Sequence, residues 1–291
     1  MWEHLQIELY KVFKRPRTYL SFAAITALIG VIQLGLLVDG KEYADFVMAD
    51  FANSFSVDGK ILNGYFICYV ILQLLLVHVP LLIALIAADM ISGEANMGTL
   101  RILLTKPQSR TAIVMAKFIA SVIYTLLLLI WIAIMGLFLS MLIFGTDDLF
   151  LMKSSYVVIV KESDVFWRYA GAFCFAALAM VTVAALGFFL SFFAENSIGP
   201  IVATMSVIIV CTILSTMNIP LFNLIKPYLF TTHMITWKEF FDFRVNDANE
   251  AIIGSIQYPD KIIRSATVLA IHIVLFVGSA VWLFRKKDIL S

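Results

Sequence analysis

Charged residues are scarce in this sequence. Asp, Glu, Lys and Arg make up 14% of the 291 residues, whereas a soluble domain usually contains about a quarter. Hydrophobic residues account for 62%, and the net charge is only +1. This composition predicts an integral membrane protein. The small net charge excludes a general polyanion-binding surface, so no nucleic-acid partner is expected.

Cysteine is also rare, and no two cysteines have the close spacing of a metal or redox motif. Each one falls inside an apolar stretch, at Cys68, Cys174 and Cys211. Buried thiols that act as small hydrophobic side chains explain this placement best. We therefore expect neither a disulfide nor a metal site.

A phosphate-binding loop is missing as well. Gly93 and Gly98 have the glycine spacing of such a loop, but Thr99-Leu100 follows them without the required lysine. No Ser–His pair, carboxylate pair or metal-spaced cluster is evident elsewhere. The chain is therefore expected not to be an enzyme by itself, and to hold no cofactor.

What the sequence does contain is six long stretches without charge. Each is long enough to cross a hydrocarbon core of about 30 Å as a helix, and helices satisfy their own backbone groups in lipid. We predict an all-α integral membrane fold, a single domain over 1–291 with six transmembrane helices. The predicted spans are 19–38, 61–88, 118–146, 169–194, 197–219 and 265–284.

Basic residues cluster beside the first and last of these spans. Four precede span one, and Arg285-Lys286-Lys287 follows span six. Because basic residues favour the cytoplasmic side, both termini are predicted to be cytoplasmic. Span one, at 20 residues, exceeds the apolar core of a signal peptide, about 7–15 residues, so we expect it to be retained as an anchor.

Two segments outside the spans have amphipathic patterns. Residues 1–17 carry apolar side chains at helical spacing, which predicts an interfacial amphipathic helix; an ordinary charged tail is the alternative. The outer loop 220–264 is rich in aromatic residues and contains Pro220 and Pro227. Its composition predicts short re-entrant helices before span six.

The segment 89–110, between spans two and three, has the most distinctive pattern. Gly93 is expected to break the preceding helix, residues 99–104 to form a short amphipathic helix, and Pro107 to end it. Ser109 is a candidate cap for the next helix. A docking surface for a cytoplasmic partner and a routine connection both fit this pattern.

The same segment resembles the signature of the ATP-binding-cassette (ABC) type-2 permease family. The resemblance rests on Ser-Gly-Glu, then Gly-Thr-Leu-Arg, Leu-Leu, Pro and Ser-Arg, and the predicted topology extends it over the whole chain. It implies that 93–110 is a coupling helix that docks on a separate ATPase. The implied coupling residues are Gly93, Glu94, Gly98, Thr99, Leu100, Arg101, Pro107 and Arg110. The sequence departs from many relatives at Ala95-Asn96-Met97, which lacks their charged residues.

By this resemblance, the chain is the permease subunit of an ABC exporter in a prokaryotic cell (inner) membrane. Two ATPase copies, which bind ATP and Mg, would work with two permease copies, identical or paralogous. So few charges in the spans favour an amphipathic or lipid-like substrate such as a drug, peptide or lipid. A non-transporting scaffold that couples an ATPase to an envelope machine is one alternative. An ion-coupled carrier is another, although it would usually show acidic residues within its spans.

A few polar residues are candidates for other roles. Polar groups within spans are functional candidates by default, but each also fits a hydrogen bond between helices. The candidates for a substrate path are Gln33, Gln73, His78 and His272. Glu195, in the tight turn between spans four and five, is either an ATPase contact or a solvated turn residue.

Overall fold

The computed structural model describes residues 2–40, 42, 60–99, 109–152, 157–217, 219–246 and 251–286, which are mostly helical. The first half contains these elements: α1 (Trp2–Lys14), α2 (Pro16–Val38), α3 (Gly64–Ala87), α4 (Ser92–Asn96), α5 (Arg110–Ala133), a π-helical turn (Ile134–Phe138) and α6 (Leu139–Phe144).

An antiparallel hairpin of two strands follows α6. The second half contains β1 (Leu149–Met152), β2 (Val157–Val160), α7 (Glu162–Leu190), a 3-10 turn (Ser191–Phe193), α8 (Ile198–Thr216), 3-10 turns (Pro220–Leu224 and Lys226–Tyr228), α9 (Phe230–Met234), a 3-10 helix (Ile235–Phe241) and α10 (Pro259–Lys286).

Within the described ranges, six helices are long and apolar enough to cross a membrane. These spans are Pro16–Val38, Gly64–Ala87, Arg110–Phe144, Glu162–Phe193, Ile198–Thr216 and Pro259–Lys286. The prediction of a mostly helical chain with six candidate spans is therefore confirmed. The fourth span lies at the centre of the bundle. In its most apolar 18-residue stretch 56% is buried inside the protein, against 22% in the first span and 17% in the fifth.

Four helices begin earlier than the charge-free stretches indicate. The first starts at Pro16 rather than 19, the third at Arg110 rather than 118, the fourth at Glu162 rather than 169, and the sixth at Pro259 rather than 265. The predicted spans begin after charged residues, but Lys117 and Arg168 lie inside helices, buried against acidic partners. Paired charges are compatible with a helix interior.

Local capping explains where two of the helices begin. The side chain of Asn63 accepts a hydrogen bond from the Phe66 amide at the start of α3. Ser109 does the same for the Ala112 amide at the start of α5, so the predicted cap is confirmed. Such caps satisfy backbone donors that the first turn of a helix leaves unpaired.

The hairpin is a feature that the sequence analysis did not predict. Leu149 pairs with Val160, and Met152 with Val157. In β2 the side chains alternate between exposed and buried, as expected for a strand with one packed face. Val, Val, Ile and Val favour a strand, but four residues between two apolar spans gave too short a pattern to separate from a loop.

The helices alternate in direction, so the bundle has two ends. We call the end with α1, α4 and the start of α5 the α1 face. We call the opposite end, with the hairpin and the helices of 220–241, the hairpin face. Short helical segments lie there before span six, at Pro220–Leu224, Lys226–Tyr228, Phe230–Met234 and Ile235–Phe241; that they are re-entrant stays a prediction.

Candidate functional site

Four charged side chains from three elements meet at the α1 face. Glu94, in α4, lies 2.7 Å from the ammonium of Lys117 in α5 and 2.7 Å from that of Lys11 in α1. Glu8, one turn before Lys11, lies 2.8 Å from Lys117 and 2.9 Å from Lys11. We call Glu8, Lys11, Glu94 and Lys117 the Glu94 cluster; it joins α1, α4 and the third span.

The Glu94 cluster is balanced in charge and largely removed from solvent. Two carboxylates face two ammonium groups, and the Lys117 side chain is 1% exposed, whereas that of Lys11 is 36% exposed. Burial raises the pKa of Glu94, but the charge of Lys117 and hydrogen bonds from both lysines outweigh it and lower the pKa. Burial lowers the pKa of Lys11, but its bonds to Glu94 and Glu8 outweigh it and raise the pKa. Each partner therefore stabilises the charged form of the other.

A third acidic residue at this face, Asp89, fixes the joint between α1 and α2. Asp89 Oδ2 lies 2.5 Å from the guanidinium of Arg15 and 2.7 Å from that of Arg17. Gly93 packs directly against the Asp89 carboxylate, because a Cβ at Gly93 would lie 2.5 Å from Asp89 Oδ1. Gly93 is thus required for close packing inside a helical turn, a different reason from the helix break that the sequence suggested.

The end of this segment is exposed. Asn96, Met97, Gly98 and Thr99 are all solvent-accessible, and Met97 is 57% exposed. Gly98 has a φ of +70°, in the left-handed region that favours glycine. We call residues 96–99 the exposed tip. The predicted coupling residues Leu100, Arg101 and Pro107, with most of the helix expected over 99–104, lie outside the described residues.

The remaining predicted coupling residues occupy separate positions. Arg110 donates to the carbonyls of Phe284 and Arg285 at 3.4 and 3.3 Å, and so joins the start of the third span to the end of the sixth. Glu195 is exposed in the turn between α7 and α8. Of the predicted coupling residues, Gly93 and Glu94 are buried, whereas Gly98, Thr99 and Glu195 are exposed.

The four substrate-path candidates do not meet at one site. The buried Gln33 amide donates to the Met135 carbonyl at 2.8 Å and to Ser140 Oγ at 2.9 Å. It thereby satisfies backbone in the π-helical turn of the third span, where the regular helical bonds are interrupted. This contact matches the alternative of a hydrogen bond between helices.

The other three candidates are closer to the protein surface. His78 is exposed and His272 half-buried, and the Nδ1 of each lies within 3.0 Å of the carbonyl four residues earlier. Gln73 is exposed, and its oxygen accepts a hydrogen bond from Lys238 at 3.3 Å.

The hairpin face holds a buried charge that the sequence analysis did not select. The Arg168 side chain is fully buried, and its guanidinium lies 2.6 Å from Asp164 Oδ2. It also donates to the carbonyls of Phe240 and Ser255 at 2.6 and 2.8 Å. Asp164 further accepts from the Gly254 amide at 3.0 Å. We call Arg168, Asp164 and these backbone groups the Arg168 site; it joins α7 to Phe240 and to residues 254–255.

The sequence contained a partial signal for both charged sites. Glu8 and Lys11 are three residues apart, and Asp164 and Arg168 four apart, spacings that bring side chains together on a helix. The partners at Glu94 and Lys117 are 83 and 109 positions from α1, so no local pattern could reveal them. Among the described residues, no group of three His, Cys, Asp or Glu side chains is placed to hold a metal.

Comparison with known proteins gives a family. Residues 22–290 match the family model described as "Protein of unknown function (DUF2705)". The chain is also similar to "Uncharacterized protein YhcI" of Bacillus subtilis (strain 168), with 26% identity over 211 residues. That alignment covers 70% of this chain and 63% of the relative, less than two thirds of its length. Because the family model spans nearly all of the six candidate spans, the chain belongs to the DUF2705 family.

Proposed function

We propose that this chain is the membrane-spanning permease subunit of an ATP-driven exporter of the ABC type-2 class. ATP hydrolysis would take place on a separate ATPase subunit, which binds ATP and Mg. The substrate would be amphipathic or lipid-like. One observation carries the proposal: the segment after span two is anchored by buried Glu94 to α1 and to the third span, while its tip at 96–99 is exposed.

This arrangement suits a segment that transmits a displacement from a docked partner to the membrane-spanning helices. Separating a buried charge from its partners typically costs about 3–5 kcal/mol, so α1, α4 and the start of α5 are expected to move as one unit. Asp89 extends the unit to the start of α2 through Arg15 and Arg17. A displacement of the exposed tip would therefore reach the first three spans together.

The proposed assembly contains two ATPase and two permease copies in a prokaryotic cell (inner) membrane. The α1 face would be cytoplasmic, with both termini there and α1 lying in the inner interface; the helices of 220–241 would lie at the outer interface. Exposed apolar side chains on the least buried helices support contacts with lipid and a second copy. Examples are Val31 and Leu34 in α2 and Ile209 and Val210 in α8.

The first test is a pull-down of the tagged full-length chain from membranes in mild detergent, with mass spectrometry and an ATPase assay. We expect a stoichiometric ATPase subunit with a phosphate-binding loop and vanadate-sensitive turnover. A clean preparation with no ATPase would overturn the proposal and favour an ion-coupled carrier.

Variants of the α1 face separate docking from coupling. Met97→Asp places a charge on the exposed tip and should abolish ATPase recovery while the chain remains folded. Met217→Asp is the matched control, because Met217 is also exposed but lies at the hairpin end of α8. Glu94→Gln should retain the ATPase but reduce substrate-dependent turnover, since it weakens the Glu94 cluster and leaves the tip unchanged. Normal ATPase recovery with Met97→Asp would contradict docking at 96–99.

A further inference from the structure

An open groove of about 460 Å³ lies between α2 and α3 on the surface of the bundle. It extends from the middle of α2 to the end of that helix at the hairpin face. The residues that define its length are Val31, Gly35, Leu36 and Asp39 on one side and Val70 and Leu74 on the other. From Val31 to Asp39 the groove is about 12 Å long along a helix axis. Its volume falls in the range of about 300–1,000 Å³ that is typical of ligand pockets.

The groove is open along its side and apolar over most of its length. Val31 is 69% exposed and Leu74 52% exposed, although both belong to candidate membrane spans. Gly35 leaves the middle of the groove wide, because a Cβ at this position would have no neighbour within 4 Å. A hydrocarbon chain could therefore enter sideways from the bilayer and lie along α2 without any rearrangement of the helices.

The end of the groove at the hairpin face carries a negative charge. Asp39 follows the last residue of α2, and its amide donates to the Gly35 carbonyl at 2.9 Å. Its side chain is exposed, and the carboxylate has no hydrogen-bond or ion-pair partner among the described residues. The other lining residues are uncharged, so Asp39 alone sets the charge preference of the groove.

Charge complementarity with Asp39 selects the occupant. An ammonium group at this end would pair with the carboxylate while its hydrocarbon chain occupies the apolar part. Anionic and zwitterionic phospholipids carry a phosphate, which the same carboxylate would repel if it lay there. The groove therefore matches a cationic amphiphile better than it matches the common lipids of the surrounding membrane.

We propose that this groove binds a single-chain cationic amphiphile, with a primary ammonium head at Asp39 and the tail along residues 31–36. The groove lies within one chain, so binding requires neither an ATPase nor a second copy. Its failure would leave the exporter proposal untouched, and the absence of an ATPase would leave this site untouched.

The test uses the full-length chain in phosphatidylcholine nanodiscs and a photoactivatable decylamine with a diazirine near the end of its tail. Mass spectrometry should locate cross-links at 31–39 and 70–74, and excess decylamine should suppress them. Decanol, which lacks the charge, should compete less well, and decanoate, which has the opposite charge, least of all. Equal competition by decanol would overturn the cationic assignment.

Two variants test the tail and the head separately. Gly35→Phe should fill the groove and remove the specific cross-links. Gly30→Phe is its control, because a Cβ at Gly30 also has no neighbour within 4 Å but Gly30 does not line the groove. Asp39→Asn should reduce the preference for decylamine over decanol about two- to fivefold, as expected for a solvent-accessible ion pair. Asp260→Asn, at an exposed carboxylate on the same face, is the matched control.

Two further results would overturn the proposal. Cross-links scattered over the spans and unchanged by Gly35→Phe would show ordinary lipid contact. Absence of labelling at 31–39, together with chemical cross-links between two copies through this segment, would show that a second copy covers the groove.

Discussion

The two faces of the bundle bury charge in different ways. At the hairpin face, a single cation, Arg168, pairs with Asp164 and two backbone carbonyls. At the α1 face, two lysines share two glutamates, and every contact in the Glu94 cluster joins two side chains. Fixed carbonyls give the Arg168 site one geometry. The Glu94 cluster has redundant partners, so removal of one lysine leaves both carboxylates in contact with the other.

This difference separates an attachment with a single cation from one with two. The Arg168 site holds Phe240 and residues 254–255 against α7, and in the part of the chain that the structure describes Arg168 is the cation paired with Asp164. In the Glu94 cluster, either lysine can still neutralise a carboxylate when the other moves. Two carboxylates at the α1 face can also accept further hydrogen bonds, since Glu94 Oε2 and Asp89 Oδ1 have no hydrogen-bond partner among the described residues.

The largest effect on stability is expected from Arg168→Met. It leaves Asp164 buried and charged and removes the donor to two carbonyls, so the free energy of unfolding should fall by about 3–5 kcal/mol. Titration with SDS in mixed micelles measures this. Arg244→Met, at an exposed arginine on the same face, should change little. If both variants had similar effects, Arg168 would not be the main attachment of this region.

A smaller decrease in the free energy of unfolding is expected from Lys117→Met. Lys11 still neutralises part of the cluster, so the loss should fall below the full penalty for a broken buried pair, at about 2–3 kcal/mol. Lys11→Met should cost about 1 kcal/mol or less, because its side chain is 36% exposed. The same titration gives both values. A loss for Lys117→Met as large as for Arg168→Met would show that the lysines do not share their partners.

The faces should also respond to different pH ranges. In α9, His233 Nε2 donates to the Pro227 carbonyl at 3.0 Å, and Nδ1 lies 2.9 Å from Ser265 Oγ. Burial lowers its pKa below the ordinary 6.5; the charges of Arg264 and His272 add to this effect, and the Pro227 bond opposes it. Its contribution to stability is therefore complete above pH 6.5 and lost as the pH falls through its folded pKa.

The contribution of Glu94 to stability is lost only at a lower pH than that of His233. Its folded pKa lies below the ordinary 4.5, so it remains complete above pH 4.5 and disappears only as the pH falls through that lower value. Hydrogen exchange near pH 5.5 should therefore rise over 230–241 while α1 stays protected. His233→Gln should remove the change between pH 7 and 5.5. Loss of protection in α1 first would reverse the predicted order.

The smallest effect is expected from an exposed charge at the α1 face. Glu195→Ala should change stability by no more than about 0.5 kcal/mol, since an exposed turn residue has few partners to lose. ATPase recovery with this variant tests separately whether Glu195 contacts the partner. A large loss of stability would mean that burial does not distinguish Glu195 from Glu94.

Part of the candidate site could be predicted from sequence. The motif around Gly93, Glu94 and Gly98 selected the segment that joins spans two and three, and Ser109 was correctly assigned as a helix cap. The role of Glu94 as a buried partner of two lysines could not be predicted, because α1 and α5 approach it only after the helices pack. The burial of Arg168 could not be predicted for the same reason: its partners approach it only after the helices pack, and in sequence it lies just before the predicted fourth span.

By itself, the sequence determined that the chain is mostly helical with six candidate membrane spans, because apolar length and lack of charge are local properties. Tertiary structure alone decided which charges are buried and paired, how Gln33 supports the π-helical turn, and where an apolar groove forms. It also decided that the short Val- and Ile-rich segment after the third span pairs as a hairpin. Each of these depends on contacts between residues far apart in the chain.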